Sequence, residues 1–273
     1  MKKKRIFKSW LSGVLVIVFI VQLLPAHVFS VDRVNQQVVS HDFESVRTES
    51  VELRDAYTKH FRSPEGEYYA EVYAQPIHFK ESGKWTEYDL SLKAAKNDSG
   101  YVAQKTDTPV YLPKKFSSGE MITVSHGGYT VGFGMSSANA GFNSKATAHI
   151  GTATTQGVSE ELRYKGVMLG TDVTYNVLPN GIKENIVVNK KQSSYRYVFD
   201  MDFGGLEPVP QDDGSIYLMR SEDSKKPSFI LDAPLMVDNA GNVSRDVTLS
   251  MQGNQLIVQA DSKWINARKE YFP

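Results

Sequence analysis

From Tyr195 to Phe203 every second residue is aromatic or methionine: Tyr195, Tyr197, Phe199, Met201 and Phe203. Three of the four residues between them are charged, namely Arg196, Asp200 and Asp202. Successive side chains of an extended chain point to opposite sides, so this run makes a strand with one apolar and one wet face. Wound into a helix, the same residues would scatter their apolar groups around the axis. The period of two recurs at Thr86, Tyr88, Leu90 and Leu92, and again at Val173, Tyr175 and Val177.

Turn chemistry separates such runs along the chain. Ser63-Pro64-Glu65-Gly66, Glu81-Ser82-Gly83-Lys84, Pro179-Asn180-Gly181, Asp212-Asp213-Gly214, Asp238-Asn239-Ala240-Gly241 and Gln252-Gly253-Asn254 supply the residues that reverse a backbone. Asn180-Gly181 between two alternating runs is read as a hairpin turn. Further strands are expected at Thr108–Leu112, Met121–Ser125, Tyr129–Gly134, Ser215–Arg220, Ser228–Asp232, Val247–Met251 and Leu256–Ala260. No segment beyond the first thirty residues carries a helical period for more than a turn or two. Many short strands with turns between them imply an all-β fold, an antiparallel sandwich or meander.

The chain opens differently. Lys2, Lys3, Lys4, Arg5 and Lys8 precede an apolar run from Trp10 to Val21, and Val28-Phe29-Ser30 follows. That order of basic, apolar and small-residue regions reads as a secretory signal peptide over 1–30, a helix cleaved between Ser30 and Val31, with Val28 and Ser30 at the −3 and −1 positions. The run is shorter than the ~20 residues a membrane-spanning helix needs, so stable membrane insertion is not expected. Residues 31–50 read as a flexible polar lead-in. The body of the fold is expected over 51–273, divisible into sub-sheets 51–135 and 160–273.

Cleavage would remove five of the 31 basic residues and none of the 31 acidic ones, leaving a balance of −5. A mildly acidic surface lacks the clustered Lys and Arg that drive nucleic-acid affinity, so no nucleic-acid partner is expected. The chain has no cysteine, which excludes disulfides, thiolate metal sites and thiol nucleophiles.

Catalytic patterns are missing. His60, His78, His126 and His149 are scattered without metalloprotease spacing, and no serine sits in a G-x-S-x-G elbow. His126-Gly127-Gly128-Tyr129 is followed by neither Lys-Ser/Thr nor a helix, which suits a close strand pair better than a phosphate loop. Glu160-Glu161 and Asp212-Asp213 are adjacent, so their side chains diverge on a strand. The acidic loops Asp212–Ser215 and Asp238–Asn242 lack the spacing of a calcium loop and read as turns. The expectation is therefore a non-enzymatic protein with no catalytic, cofactor or metal residues. Among the aromatics, Trp85 and Trp264 are candidate contacts for a glycan, although aromatics also fill sandwich cores.

Tyr69–Lys80 followed by Gly83-Lys84-Trp85-Thr86-Glu87-Tyr88-Asp89, then Gly170–Val177, Asn180–Ile186, Ala233–Asp238 and Asp261–Ile265, resemble in order and spacing the opening region of Gram-positive wall-associated proteins. These are the secreted RHS/YD-repeat proteins and their relatives with DNRLRE domains. The resemblance implies an extracellular, wall-associated scaffold or interaction module that helps display a repeat shell and a toxin. In the family the Trp-bearing segment leads into Arg-x-Tyr-Pro-Val-x-Ile-Asp-Pro. Arg268–Pro273 falls within that pattern, which implies a fragment of a longer protein whose remaining domains are its partners. A module that binds cell-wall glycan is the alternative, and a secreted hydrolase the third.

Overall fold

The computed structural model describes residues 47–116, 119–151, 159–220 and 226–267, together with the backbone of Leu15–Gln22. Within them the regular structure is strand apart from one short 3-10 turn at Val51–Leu53 and one helical turn at Ser262–Asn266. The all-β expectation is correct.

Two large antiparallel sheets make the body. The first, of ten strands, runs in the order Ala148–Ile150, Leu162–Met168, Thr171–Leu178, Gly181–Val188, Leu15–Gln22, Phe229–Leu231, Ile216–Met219 and Glu207–Pro210. Leu235–Val237 and Val243–Ser244 attach beside Leu15–Gln22. The second, of eight, runs Val247–Gln252, Gln255–Ala260, Arg196–Asp202, Tyr129–Met135, Ile122–His126, Val110–Pro113, Gly100–Lys105 and Asp89–Ala94. This second sheet draws strands from both halves of the sequence. Two smaller sheets, Thr48–Glu49 with Thr58–Arg62 and Tyr68–Val72, and His78–Glu81 with Lys84–Glu87, complete the described residues.

One apolar cluster joins the two large sheets. Tyr164, Tyr175, Ile186 and Leu231 from the first meet Leu112, Phe133, Phe199 and Val258 from the second, all essentially solvent-free. Aromatic rings form its centre: Phe116 meets Tyr164 edge-on at 4.6 Å between centroids, and Tyr164 meets Tyr175 at 5.9 Å in the same manner. Such edge-to-face pairs add roughly 0.5–1.5 kcal/mol each beyond the area they bury. The buried Tyr164 hydroxyl donates to the Pro113 carbonyl at 2.5 Å, tying the sheets together with a polar bond inside the core. Tyr195, Tyr197, Phe199, Met201 and Phe203 are all buried, as their alternation demands.

Two local readings shift. The hairpin after Val177 pairs Leu178 with Gly181, so its turn residues are Pro179 and Asn180 rather than Asn180-Gly181. Proline pre-sets the φ of a turn's second residue, and Asn180 is not among the residues with positive φ. The glycines Gly127 and Gly128, with φ of 58° and 85°, turn the hairpin between Ile122–His126 and Tyr129–Met135.

A larger shift concerns the start of the chain. Leu15–Gln22, expected inside a leader helix, is a strand in the first sheet, aligned antiparallel to all eight residues of Gly181–Val188. An uninterrupted apolar run rich in Val and Ile is compatible with the extended form as well as with a leader helix. The rest of the expected leader, the cleavage positions Val28, Ser30 and Val31, and most of the lead-in lie outside the described residues.

Candidate functional site

At one end of the body, where the two sheets meet, three loops enclose a groove of about 510 Å³. The turn Met168–Leu169, the loop Lys191–Ser194 leading to Arg196, and Ala138–Ala140 supply its walls. Each loop is anchored by specific bonds.

Gly170 has φ of 69°, and a Cβ placed on it would lie 2.6 Å from the Cβ of Lys190, so only glycine lets this turn approach the neighbouring loop. The Gly170 carbonyl accepts from the Asn189 amide at 2.7 Å. The Gln192 side chain donates to Thr171 Oγ1, and its backbone amide donates to Tyr195 Oη, both at 2.9 Å. Tyr195 Oη in turn donates to Asn266 Oδ1 at 2.9 Å, linking the loop to the helical turn near the end of the described chain. On the opposite wall Asn139 clips onto Val198. Its Oδ1 accepts from the Val198 amide at 2.9 Å, and its Nδ2 donates to the Val198 and Ser136 carbonyls at 2.7 Å. An amide side chain here continues the strand ladder that the backbone of the loop has left.

The groove's chemistry is one-signed. Lys191 and Arg196 line it and no carboxylate does. Neither cation joins any ion pair among the described residues. Ser193 and Ser194 add exposed hydroxyls, and Leu169 stands 77% exposed at the rim. Two cations, hydroxyls and an apolar lip suit a flexible anionic ligand, which long side chains can meet by charge while hydroxyls orient it.

The expected contact residues lie elsewhere. Trp85, on Lys84–Glu87, is half-buried with Lys80 Nζ 5.0 Å from its ring centroid, a cation–π contact that covers one face. Trp264 sits in the helical turn Ser262–Asn266, packed against the main core, and Asp261 caps that turn by accepting from the Lys263 and Trp264 amides. The structure places them on separate elements and brings neither into the groove. The acidic loops spend their carboxylates on their own backbone. Asp213 accepts from Ser215, and Asp238 accepts from the Ala240 and Asn242 amides. His60 bonds Tyr68, and buried His78 bonds the Asp55 carbonyl at 2.7 Å.

Two carboxyl groups depart from ordinary behaviour. Burial raises Glu184 to about 8 and half-buried Asp232 to about 6, with Asp213 adding to the latter. Glu184 is only 1% exposed inside the inter-sheet core, so it faces aromatic rings rather than a cleft. Neither it nor the groove's loop residues announced themselves in the sequence. The one available signal was a glutamate at an inward position of the Ile182–Val188 run.

The fold and its loops describe an all-β module, and comparisons with known proteins find wall-associated relatives. The chain is 25% identical over 308 aligned positions to the tRNA3(Ser)-specific nuclease WapA of Bacillus spizizenii, matching 100% of this chain and 13% of that protein. It is 24% identical over the same length to the tRNA nuclease WapA of Bacillus subtilis, again with 13% of that protein covered. A wall-associated protein of Geobacillus stearothermophilus is 26% identical over 195 positions, 70% of this chain and 75% of that protein. No family model matches the chain, and no solved structure matches it significantly. The chain thus spans 13% of the length of the first two relatives.

These names correct one expectation. A non-enzymatic protein was expected because no catalytic spacing is visible in the sequence; relatives named as tRNA nucleases overturn that expectation. Absence of a familiar motif was weak ground, since catalytic groups are assembled by the fold and recognised by geometry rather than spacing. Among the described residues, no helix is long and apolar enough to cross a membrane.

Proposed function

We propose that this chain is a β-rich support and interaction module of a longer, secreted, cell-wall-associated protein of the RHS/YD-repeat kind, whose activity as a whole is cleavage of tRNA. The observation that carries this reading is the lopsided alignment: relatives named as tRNA nucleases match the whole of this chain yet only 13% of themselves, and a relative named as a wall-associated protein matches 70% of it. A body held by one continuous two-sheet core suits mechanical support of further domains. The remaining domains of the longer protein are its first partners.

Fractionation of host cells carrying an epitope within the chain tests the location. The wall fraction should hold the tagged polypeptide, and recovery in the cytosol alone would end the reading. Incubating the longest polypeptide that contains the chain with bulk tRNA tests the activity, and intact tRNA after prolonged incubation would remove the nuclease part.

The groove favours a second reading, a module that recognises wall polymers. Its two cations and absence of carboxylates point to an anionic polymer rather than a neutral glycan. Purified walls, with and without chemical removal of their anionic polymers, should be compared for retention of the chain. Loss of retention on Lys191→Glu with Arg196→Glu supports the groove, whereas loss on Trp85→Ala or Trp264→Ala supports stacking on a neutral sugar.

A further inference from the structure

The three-stranded sheet ends on Tyr68–Val72, which pairs with Thr58–Arg62 on one side only. The direction of its free groups follows from its bonds. The Ser63 amide donates to the Glu67 carbonyl and the Tyr73 amide to the Tyr57 carbonyl, at the two ends of one register. Bonded and unbonded pairs alternate along an antiparallel ladder. Tyr69 and Glu71 therefore spend their backbone groups inward, while Tyr68, Ala70 and Val72 turn theirs outward. Among the described residues no backbone bond reaches that outer row.

Natural edge strands discourage pairing with proline, charge or bulges. Glu207–Pro210 carries two prolines and one glutamate, and Asp89–Ala94 loses its register between Asp89 and Leu92. Tyr68–Val72 has no proline, no lysine and no register shift. It is open as well: Tyr68 is 52% and Val72 75% exposed. Its side chains are nevertheless held in place. Tyr68 Oη bonds His60 Nδ1 with the two rings stacked at 5.7 Å. The Arg47 guanidinium lies 4.6 Å over the Tyr69 ring and 4.0 Å from the Glu71 carboxylate. Side chains already ordered lose little freedom when a partner arrives.

We propose that two copies of this chain pair through this edge, antiparallel about a two-fold axis at Ala70. The strand is its own complement. With Ala70 opposite Ala70 of the second copy, Tyr68 faces Val72 and the two outward rows meet, so three facing pairs exchange two bonds apiece. On one side of the joined sheet an aromatic ring meets an aliphatic side chain, with the small Ala70 at the axis, and such cross-strand pairs are favourable. On the other side Glu71 faces Tyr69 of the second copy, beside the Arg47 that covers that ring. A carboxylate there meets a cation and a phenol. Sliding the copies by two residues either way sets Glu71 against Glu71 or against Glu67, like charges that destabilise a pair. The charges thus select one register as well as one partner. The contact is isologous, the same patch on both copies, and joins two modules side by side.

Sedimentation of the full chain over a range of concentrations is the test. Mass should climb from that of one chain toward that of two as concentration rises. Ala70→Pro removes an outward amide from each copy and should raise the dissociation constant roughly tenfold or more. Its melting temperature should hold, because that amide makes no bond inside the sheet and an edge strand tolerates proline. A single-chain mass at every concentration, or association that Ala70→Pro leaves untouched, would overturn the proposal. Should Ala70→Pro not fold, single cysteines introduced into this cysteine-free chain decide. Under mild oxidation Ala70→Cys should yield a disulfide-linked pair, because facing α-carbons lie about 5.5 Å apart. Glu67→Cys should not, since its copy would lie about 20 Å away in this register. Equal cross-linking at both positions, or none at Ala70, sinks the pairing.

Discussion

Tyr175 and Glu184 stand opposite each other on adjacent antiparallel strands, both sealed inside the core between the two large sheets. Neither carboxyl oxygen of Glu184 makes a hydrogen bond of ordinary geometry, and neither does the Tyr175 hydroxyl. None of the ion pairs among the described residues reaches Glu184. A bare carboxylate in such surroundings is costly, and the group answers by holding its proton.

That arrangement makes stability depend on pH. Glu184 rises from 4.5 to about 8 in the folded chain, with burial as the cause. The folded state therefore keeps a proton that the unfolded state releases. Its stabilising effect is complete below pH ~4.5 and is lost as pH climbs through about 8, at roughly 1.4 kcal/mol per pH unit in between. Melting temperature should fall across that window. Glu184→Gln should flatten the fall, and an unchanged slope in the variant would show that other groups set it.

Asp232 gives a narrower signature of the same sign. Burial first, and Asp213 second, raise it from 3.8 to about 6. Its contribution is present below pH ~3.8 and gone above about pH 6. Asp232→Asn should flatten the melting curve only in that lower interval. A double variant with Glu184→Gln should flatten both, because the two effects are independent unless the sites touch.

Asn139 holds one wall of the groove by replacing a strand partner for Val198. Asn139→Ala would leave the buried Val198 amide without its partner, while the Val198 carbonyl would keep only the Ser136 amide, at a cost of about 1–3 kcal/mol. Chemical denaturation should read that loss as a lower midpoint with little change in slope. Asn139→Asp keeps the acceptor but loses the donor, so it should fall at least as far. Wild-type stability in both variants would show that the loop is held otherwise.

Gly204 follows the Arg196–Asp202 strand with φ of 59°, and a Cβ there would collide with the Thr130 carbonyl oxygen. Gly204→Ala combines left-handed strain with a backbone clash, and a loss of about 2 kcal/mol or more is expected. Gly205→Ala is the control: its φ is 85°, but nothing lies within 4 Å of the added carbon. Thermal melts should therefore separate the two neighbours, with the smaller drop at Gly205. Equal drops would mean that strain alone governs the turn.

Much of the fold was readable because a strand half in water writes its orientation into every second residue. Tyr195–Phe203 is the clearest example, and its inward set is buried throughout. Strands that escaped the sequence reading broke this rule for physical reasons. Leu162–Met168 loses register between Tyr164 and Met168, where Gly166 takes φ of 62° and the alternation slips. Glu207–Pro210 carries prolines that argue against a strand, which a sheet edge tolerates because no ladder amide is needed outward.

Alternation, turn residues and the absence of cysteine were sufficient by themselves to determine an all-β body without disulfides. They could not determine which strands pair, because pairing depends on contacts between residues far apart in sequence. Asn139 meeting Val198, and the loop of Lys191 meeting Gly170, are of that kind. Nor could they determine the pairing of Leu15–Gln22. An evenly apolar run has no period to reveal its partner, so only the tertiary structure sets it beside Gly181–Val188 and Leu235–Val237.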